Sequence, residues 1–294
     1  MRIDEIISRS EQPVFSFEFF PPGSEEGERN LREAIEKLAP LEPSFVSITR
    51  RAGLTSERTV ELTRWMKQSL GLEAMSHLTG FGSAPDELRA TLDQIAEAGI
   101  ENVLALRGDP PREPGWTPES ESIRYASDLI ELIARDYSFC IGAACYPEVH
   151  VDAADMAAEI RVLKAKAKAG ARFFITQLFF DNRVYFDFLA TVRAAGIEQP
   201  IIPGLMPITN AEQIKRMTAL SGAAIPTELA AQIELRAADP ATVLELGVAH
   251  AVLQAADLLA RGAPGIHFYT LNRSPSTRAI LSALKISRPW QARG

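Results

Sequence analysis

Eight strand-like apolar runs, each followed by a helical pattern, predict an α/β fold: a (β/α)8 TIM barrel with extra helices between strands 7 and 8. The runs recur about every 30 residues, the repeat expected of strand–helix units. Strict alternation calls for parallel strands joined by right-handed crossovers. Polar residues gather just past the runs, on the face where such barrels keep their active sites. A doubly wound dinucleotide sheet is the competing arrangement, but no Gly-x-Gly-x-x-Gly follows the first run. Without a linker, internal repeat or low-complexity tract, residues 1–294 are expected to form a single catalytic barrel domain.

The first strand, at residues 14–20, ends at Pro21-Pro22, which cannot continue a hydrogen-bonded ladder. Side chains alternate along a strand, so Phe15, Phe17 and Phe19 share one face and Val14, Ser16, Glu18 and Phe20 the other. The aromatic face is expected against helices, and the Glu18 face in an enclosed interior. The plain alternative for Glu18 is an ion pair with an arginine. Leu31, Ile35 and Leu38 then mark a helix that Pro40 and Pro43 end. Strands follow at 45–49, 73–78 and 102–106, with helices at 58–70 and 85–98 between them. A Pro/Glu/Ser-rich loop runs to about Ser122, long for a connector and therefore a candidate functional loop. Helix 123–134, strand 139–146, helix 152–169, strand 172–180, helix 182–195 and strand 200–205 continue the series. Three consecutive helices, 211–220, 227–238 and 241–261, precede strand 265–269 and a last helix at 276–284.

The net charge of -7 argues against non-specific nucleic-acid binding, so an anionic substrate needs a local cation. The first residues lack the apolar core of a signal peptide, and no uninterrupted apolar run of about 18 residues suggests a membrane span. Cys140 and Cys145, on one strand, point to opposite faces and are expected as unpaired core residues. A cytoplasmic protein with no membrane partner is expected, and a homo-oligomer.

Strand ends supply Glu18, Thr49, His77, Arg107 and Asp109, Glu148 and His150, Gln177 and Asp181, and Asn272 and Arg273. One reading is a metal-dependent hydrolase using His77, His150, Asp109 and Glu148, although no His-x-His or His-Glu-x-x-His spacing supports it. The other is a cofactor site, with the Arg107-Gly108-Asp109 turn offering a cation for a diphosphate, close backbone approach and an acid. Lys164, Lys166 and Lys168 near a helix end are expected mostly on an exposed face. Tyr125, Tyr146 and Tyr269 suit either ring stacking or the core. His267 suits a hydrogen-bonded core position, and Met217 suits helix packing.

Seven segments together resemble the methylenetetrahydrofolate reductase family: residues 17–22 (FEFFPP), 76–79 (SHLT), 105–109 (ALRGD), 125–129 (YASDL), 144–150 (ACYPEVH), 175–181 (ITQLFFD) and 267–273 (HFYTLNR). They occur in the family's order across nearly the whole chain, and the chain ends soon after the barrel, as in bacterial-type members. The resemblance implies a flavoenzyme that takes hydride from NADH or NADPH onto FAD. It would then reduce 5,10-methylenetetrahydrofolate to 5-methyltetrahydrofolate by a ping-pong route. It implies catalytic roles for Glu18, as general acid with an aromatic-raised pKa, and for Asp109. FAD would be held by Thr49, His77, Arg107, Gly108, Asp109, Tyr125, Ala126, Ala144, Tyr146, His150, Glu159 and Lys166. Folate would be held by Glu18, Asp109, Gln177, Gln213, Met217, Leu271 and Arg273.

Residues 49–54 read TRRAGL where family members usually carry Thr-Tyr-Gly-Ala-Gly-Gly. Val162 and Ala165 stand where some bacterial members carry a polar residue and an Arg, and Met217 where an aromatic ring often stacks. Arg50 or Arg51 is the candidate replacement for a phosphate cation. A flavin-free reductase with direct hydride transfer is the alternative these departures raise.

Overall fold

A computed structural model describes residues 1–50, 56–109 and 122–291. The elements are α1 (Ile3–Arg9), β1 (Val14–Phe19), α2 (Glu25–Leu38), β2 (Phe45–Ile48), α3 (Ser56–Leu70), β3 (Ala74–Thr79), α4 (Pro85–Glu97) and β4 (Asn102–Leu106). They continue with α5 (Ala126–Asp136), β5 (Cys140–Cys145), α6 (Met156–Ala169), β6 (Phe173–Thr176), α7 (Asn182–Ala194), β7 (Ile201–Ile202) and β8 (Gly204–Leu205). The chain finishes with α8 (Ala211–Ser221), α9 (Thr227–Leu235), α10 (Pro240–Ala260), β9 (Gly265–Tyr269) and α11 (Ser274–Ser287).

Every strand pairing is parallel, in the order β7-β6-β5-β4-β3-β2-β1-β9-β8. β7 and β8 are two halves of the expected seventh strand, separated by Pro203. Proline has no N–H to give a ladder, so the strand breaks there. The Pro203 carbonyl still accepts from His267 N at 2.9 Å, and the ring closes through the seventh strand onto β9. The three consecutive helices α8, α9 and α10 lie between that strand and β9, as the pattern predicts.

The period of two sorts the side chains. Phe15, Phe17 and Phe19 join Leu31, Ile35 and Leu284 in the outer core between strands and helices. Val14, Phe45, Met75, Leu104, Cys140, Phe173, Ile175 and Ile202 fill the barrel interior. Cys140 is thus inside and Cys145 outside, and both thiols are free.

Several boundaries differ from the sequence reading; α6 starts at Met156 rather than 152, and α9 stops at Leu235 rather than 238. The seven-residue α1 is too short to show a periodic pattern. It lays Ile3 into the interior cluster, with Ile3 N donating to Asn102 Oδ1 at 2.8 Å. The sixth strand stops at Thr176, four residues early, because Leu178, Phe179 and Phe180 are buried off the ladder. The fifth helix starts at Ala126 rather than 123, where Asp128 accepts from the backbone N–H groups of Arg124 and Tyr125. The greater part of the long loop ending near Ser122, and Arg51 to Leu54, lie outside the described residues.

Candidate functional site

A cavity of 230 Å³ opens at the C-terminal ends of the strands, and alternation explains its lining. Continuing the inward positions of each strand brings Glu18, Thr49, His77, Leu104 and Leu106, Ala144 and Tyr146, Gln177, Met206, and Tyr269 and Leu271 around one space. Phe20, Ile175, Leu178 and Met217 complete the wall.

Glu18 is buried in that wall, 7 % exposed. Its Oε2 lies 3.3 Å from His267 Nε2 and 3.6 Å from His77 Nε2. Ser16 Oγ lies 2.8 Å from His267 Nδ1, and Ser16 and His267 are register partners across β1 and β9. One arrangement satisfies both contacts: Ser16 O–H donates to Nδ1, and Nε2–H donates to the carboxylate. Glu18 Oε1 has no protein hydrogen-bond partner among the described residues. The Glu18 carbonyl accepts from Thr270 Oγ1 at 2.6 Å and Thr270 N at 3.2 Å, which fixes the backbone beneath the acid.

Burial pushes the Glu18 pKa up, but the His267 hydrogen bond and the nearby His77 and His267 imidazoles outweigh it and hold it below the ordinary value. This corrects the expectation that aromatic shielding raises it: the groups that meet the carboxylate are two imidazoles. It also replaces the arginine pair with a histidine one. His77 is pushed down to about 4, burial first, against the pull of Glu18. Both His77 ring nitrogens are buried without a hydrogen-bond partner among the described residues.

Tyr146 and Gln177 also line a second cavity of 440 Å³ toward the rim, with Phe81, Arg107, Asp109, His150, Asp152 and Leu220. Arg107 donates to Asp152 at 2.9 Å and lies 3.9 Å from Asp109. Gly108 turns there with φ +82°, a backbone that side chains rarely adopt, and its missing Cβ would meet Thr79 at 2.8 Å. His150 packs edge-on to Tyr146 at 4.5 Å and accepts from Asp152 N at 3.0 Å. Behind Tyr146, the buried Lys166 donates to the Ala144 carbonyl at 2.8 Å and sits 5.7 Å from the Tyr146 ring. Burial pushes the Lys166 pKa down and those of Glu159 and Tyr146 up, Tyr146 to about 12. Glu159 Oε1 is buried without a hydrogen-bond partner among the described residues. Lys164 and Lys168 are exposed.

The remaining site candidates are spread more widely. Asp109 stands at the rim, its side chain 95 % exposed, and does not line the Glu18 cavity. Tyr125 is 61 % exposed just before α5, where Ala126 is buried. The Gln213 side chain accepts from Thr209 at 3.0 Å, and Gln213 lines neither cavity. Arg273 lines a third, more open groove of 810 Å³ that meets the Glu18 cavity at Leu271. Its guanidinium has no carboxylate partner among the described residues. Arg50 is committed to Thr79, donating to Oγ1 at 2.9 Å. The four metal-ligand candidates are dispersed: His77 is deep, His150 and Asp109 are at the rim, and Glu148 accepts from Ala224 N at 3.1 Å. Among the described residues, no group of three or more His, Cys, Asp or Glu side chains gathers as a metal site.

Sequence reasoning missed Ser16 and Thr270 as parts of the site, left Tyr269 open between ring stacking and the core, and left His267 in the core. The available signal was that Ser16 and Glu18 share a face while His267 and Tyr269 alternate on the neighbouring strand. Tyr269, whose hydroxyl donates to the Thr176 carbonyl at 2.6 Å, joins the cavity wall to β6.

Comparison with known proteins agrees with this architecture. A solved protein from Clostridium thermocellum, described as binding two copies of 5-methyl-5,6,7,8-tetrahydrofolic acid, superposes with a TM-score of 0.66 at 18% identity, covering 97% of this chain and 98% of that one. At that identity the likeness shows the fold. The 5,10-methylenetetrahydrofolate reductase of Escherichia coli is 39% identical over 273 residues, covering 92% of this chain and 90% of its own. That of Pectobacterium carotovorum is 37% identical over 279 residues, covering 95% and 92%. The Arabidopsis thaliana methylenetetrahydrofolate reductase (NADH) 1 is 36% identical and covers 98% of this chain, which spans 53% of that longer protein. The family described as methylenetetrahydrofolate reductase matches residues 2–285, both strands that carry the Glu18–His267 contact included, and the chain belongs to it.

Proposed function

We propose that this protein reduces 5,10-methylenetetrahydrofolate to 5-methyltetrahydrofolate with NADH or NADPH through bound FAD, Glu18 supplying the proton. The observation that carries the reading is a buried carboxylate in the wall of the strand-end cavity, with one oxygen in contact with His267 and the other without a hydrogen-bond partner among the described residues. In the substrate, the bond between N10 and the methylene carbon breaks, and its electron pair goes to N10. A proton delivered there by Glu18 makes the amine a viable leaving group and leaves an iminium at N5. Hydride added to that carbon completes the methyl group.

The residues present fit a flavin. The His77 nitrogens and Glu159 Oε1 are buried polar groups that lack hydrogen-bond partners among the described residues. Arg107 is a rim cation beside a glycine turn. His77, Ala144, Tyr146 and Lys166 would hold the ring end. Thr49, Arg107, Gly108, His150 and Glu159 would hold or support the rest, and Tyr125 and Ala126 the outer end. When bound, FAD supplies a two-electron hydride store between the two substrates. Asp109 at the rim can close on the pterin, and Gln177, shared by both cavities, is placed to hydrogen-bond it. Met217 and Leu271 provide apolar wall, and Arg273 a cation without a carboxylate partner among the described residues for the folate carboxylates, with Gln213 bonded to Thr209 of the same groove.

The test is product formation. Purified protein supplemented with FAD should convert methylenetetrahydrofolate and NAD(P)H to 5-methyltetrahydrofolate in equal amounts, read by chromatography. Full activity in FAD-free protein would replace the flavin route with direct hydride transfer. Absence of product in both states would refute the reaction.

A further inference from the structure

We infer that Asn272 is a positioning residue for folate: its side chain substitutes for the strand that β1 lacks beyond Glu18 and so holds the Leu271–Arg273 loop over the site. The inference rests on the folate reading above. In the β1–β9 ladder, Glu18 is the last β1 residue in register, opposite Tyr269, and its carbonyl accepts from Thr270 N. The next ladder bond would run from Phe20 N to the Thr270 carbonyl. That carbonyl already accepts from Arg273 N at 2.9 Å in the turn into α11. Phe20 is followed by Pro21-Pro22, so the strand cannot find a partner further on. The Asn272 amide supplies both missing bonds. Oδ1 accepts from Phe20 N at 2.8 Å, and Nδ2 donates to the Phe20 carbonyl at 2.8 Å. A side-chain amide thus takes the place of a peptide group.

The loop stores strain to do this. Leu271 and Asn272 both have left-handed backbones, with φ +52° and +57°. Asn tolerates that region, whereas Leu adopts it only under strain. The conformation sends consecutive residues in different directions: Leu271 into the wall of the Glu18 cavity, and Arg273 into the open groove. Those are the two surfaces offered to the folate ring system and its carboxylate end. Breaking the clamp frees the strained pair to relax, and both surfaces move relative to Glu18.

The test compares Asn272→Gly with Asn272→Ala. Glycine adopts the left-handed backbone without cost but cannot clamp Phe20. Both variants are expected to bind 5-methyltetrahydrofolate about tenfold more weakly by calorimetry, because the ligand must then order the Leu271–Arg273 loop that the clamp holds in place. Hydrogen exchange should show the Phe20 amide losing protection in Asn272→Gly while amides of β4 and β5 keep theirs. Wild-type affinity in Asn272→Gly, or an unchanged Phe20 exchange rate, would overturn the clamp and leave the reductase reading intact. A wild-type protein that fails to bind the folate would overturn both.

Discussion

Glu18→Gln is expected to lower folate reduction by about a thousandfold while the protein still oxidises NAD(P)H, because only the folate step needs a proton at N10. Glutamine keeps the size of the side chain and an oxygen that can accept from His267 Nε2–H, so the 3.3 Å contact and the cavity wall persist. It has no acidic proton to give. In the wild type the imidazoles hold the Glu18 pKa below its ordinary value, so at neutral pH the carboxylate is ionised in the open site. Folate reduction should therefore speed up as pH falls, since the protonated fraction grows, and this slope should vanish in Glu18→Gln. Rapid-mixing measurements of the two half-reactions separate these outcomes. An equal loss in both would make Glu18 a structural residue.

Gly265→Ala is expected to destabilise the fold by about 3 kcal/mol, the upper end for an inserted core methyl. A Cβ at Gly265 would fall on the Val14 carbonyl oxygen and the Val14 side chain, well inside van der Waals contact. Neither is the end of a flexible chain: Val14 is the register partner of Gly265 at the start of the β1–β9 ladder. The strands must separate there, and the same seam carries Glu18 and His267. Urea unfolding reads the cost. Gly71→Ala is the control, since its φ is +66° but no atom lies within 4 Å of the added Cβ. It should show only the backbone penalty of about 1 kcal/mol. Equal midpoints for the two variants would refute the collision at the β1–β9 seam.

Much of this was legible in the residues because a strand has a period of two. Phe15, Phe17 and Phe19 against Val14, Ser16 and Glu18 was enough to assign the faces of β1, and both faces lie as that alternation requires. The broken seventh strand was half visible in Pro203, which can accept but not donate a ladder bond. α1 escaped because seven residues give a helical period too few repeats to register. The sixth strand was overextended because burial continues past the ladder through Leu178 to Phe180, and hydrophobicity reports burial rather than hydrogen bonding.

The electrostatics were less accessible. Glu18 has aromatic neighbours in sequence, but its close neighbours in space are His77 and His267, two and eight strands along the chain. No local pattern encodes that meeting; the closure of β9 onto β1 does. Asp109 shows the converse. Its place in the Arg107–Asp109 turn marked it as an acid of the site, and β4 offers Leu104 and Leu106 to the Glu18 cavity and leaves that acid at the rim.

The central claim is that one strand-end site passes hydride from NAD(P)H to a methylene folate. Anaerobic absorbance spectroscopy of the FAD-loaded wild-type protein tests it most directly. NAD(P)H should bleach the flavin bands, and methylenetetrahydrofolate added afterwards should restore them with one equivalent of 5-methyltetrahydrofolate formed. Bands that bleach but do not recover on adding methylenetetrahydrofolate would contradict it.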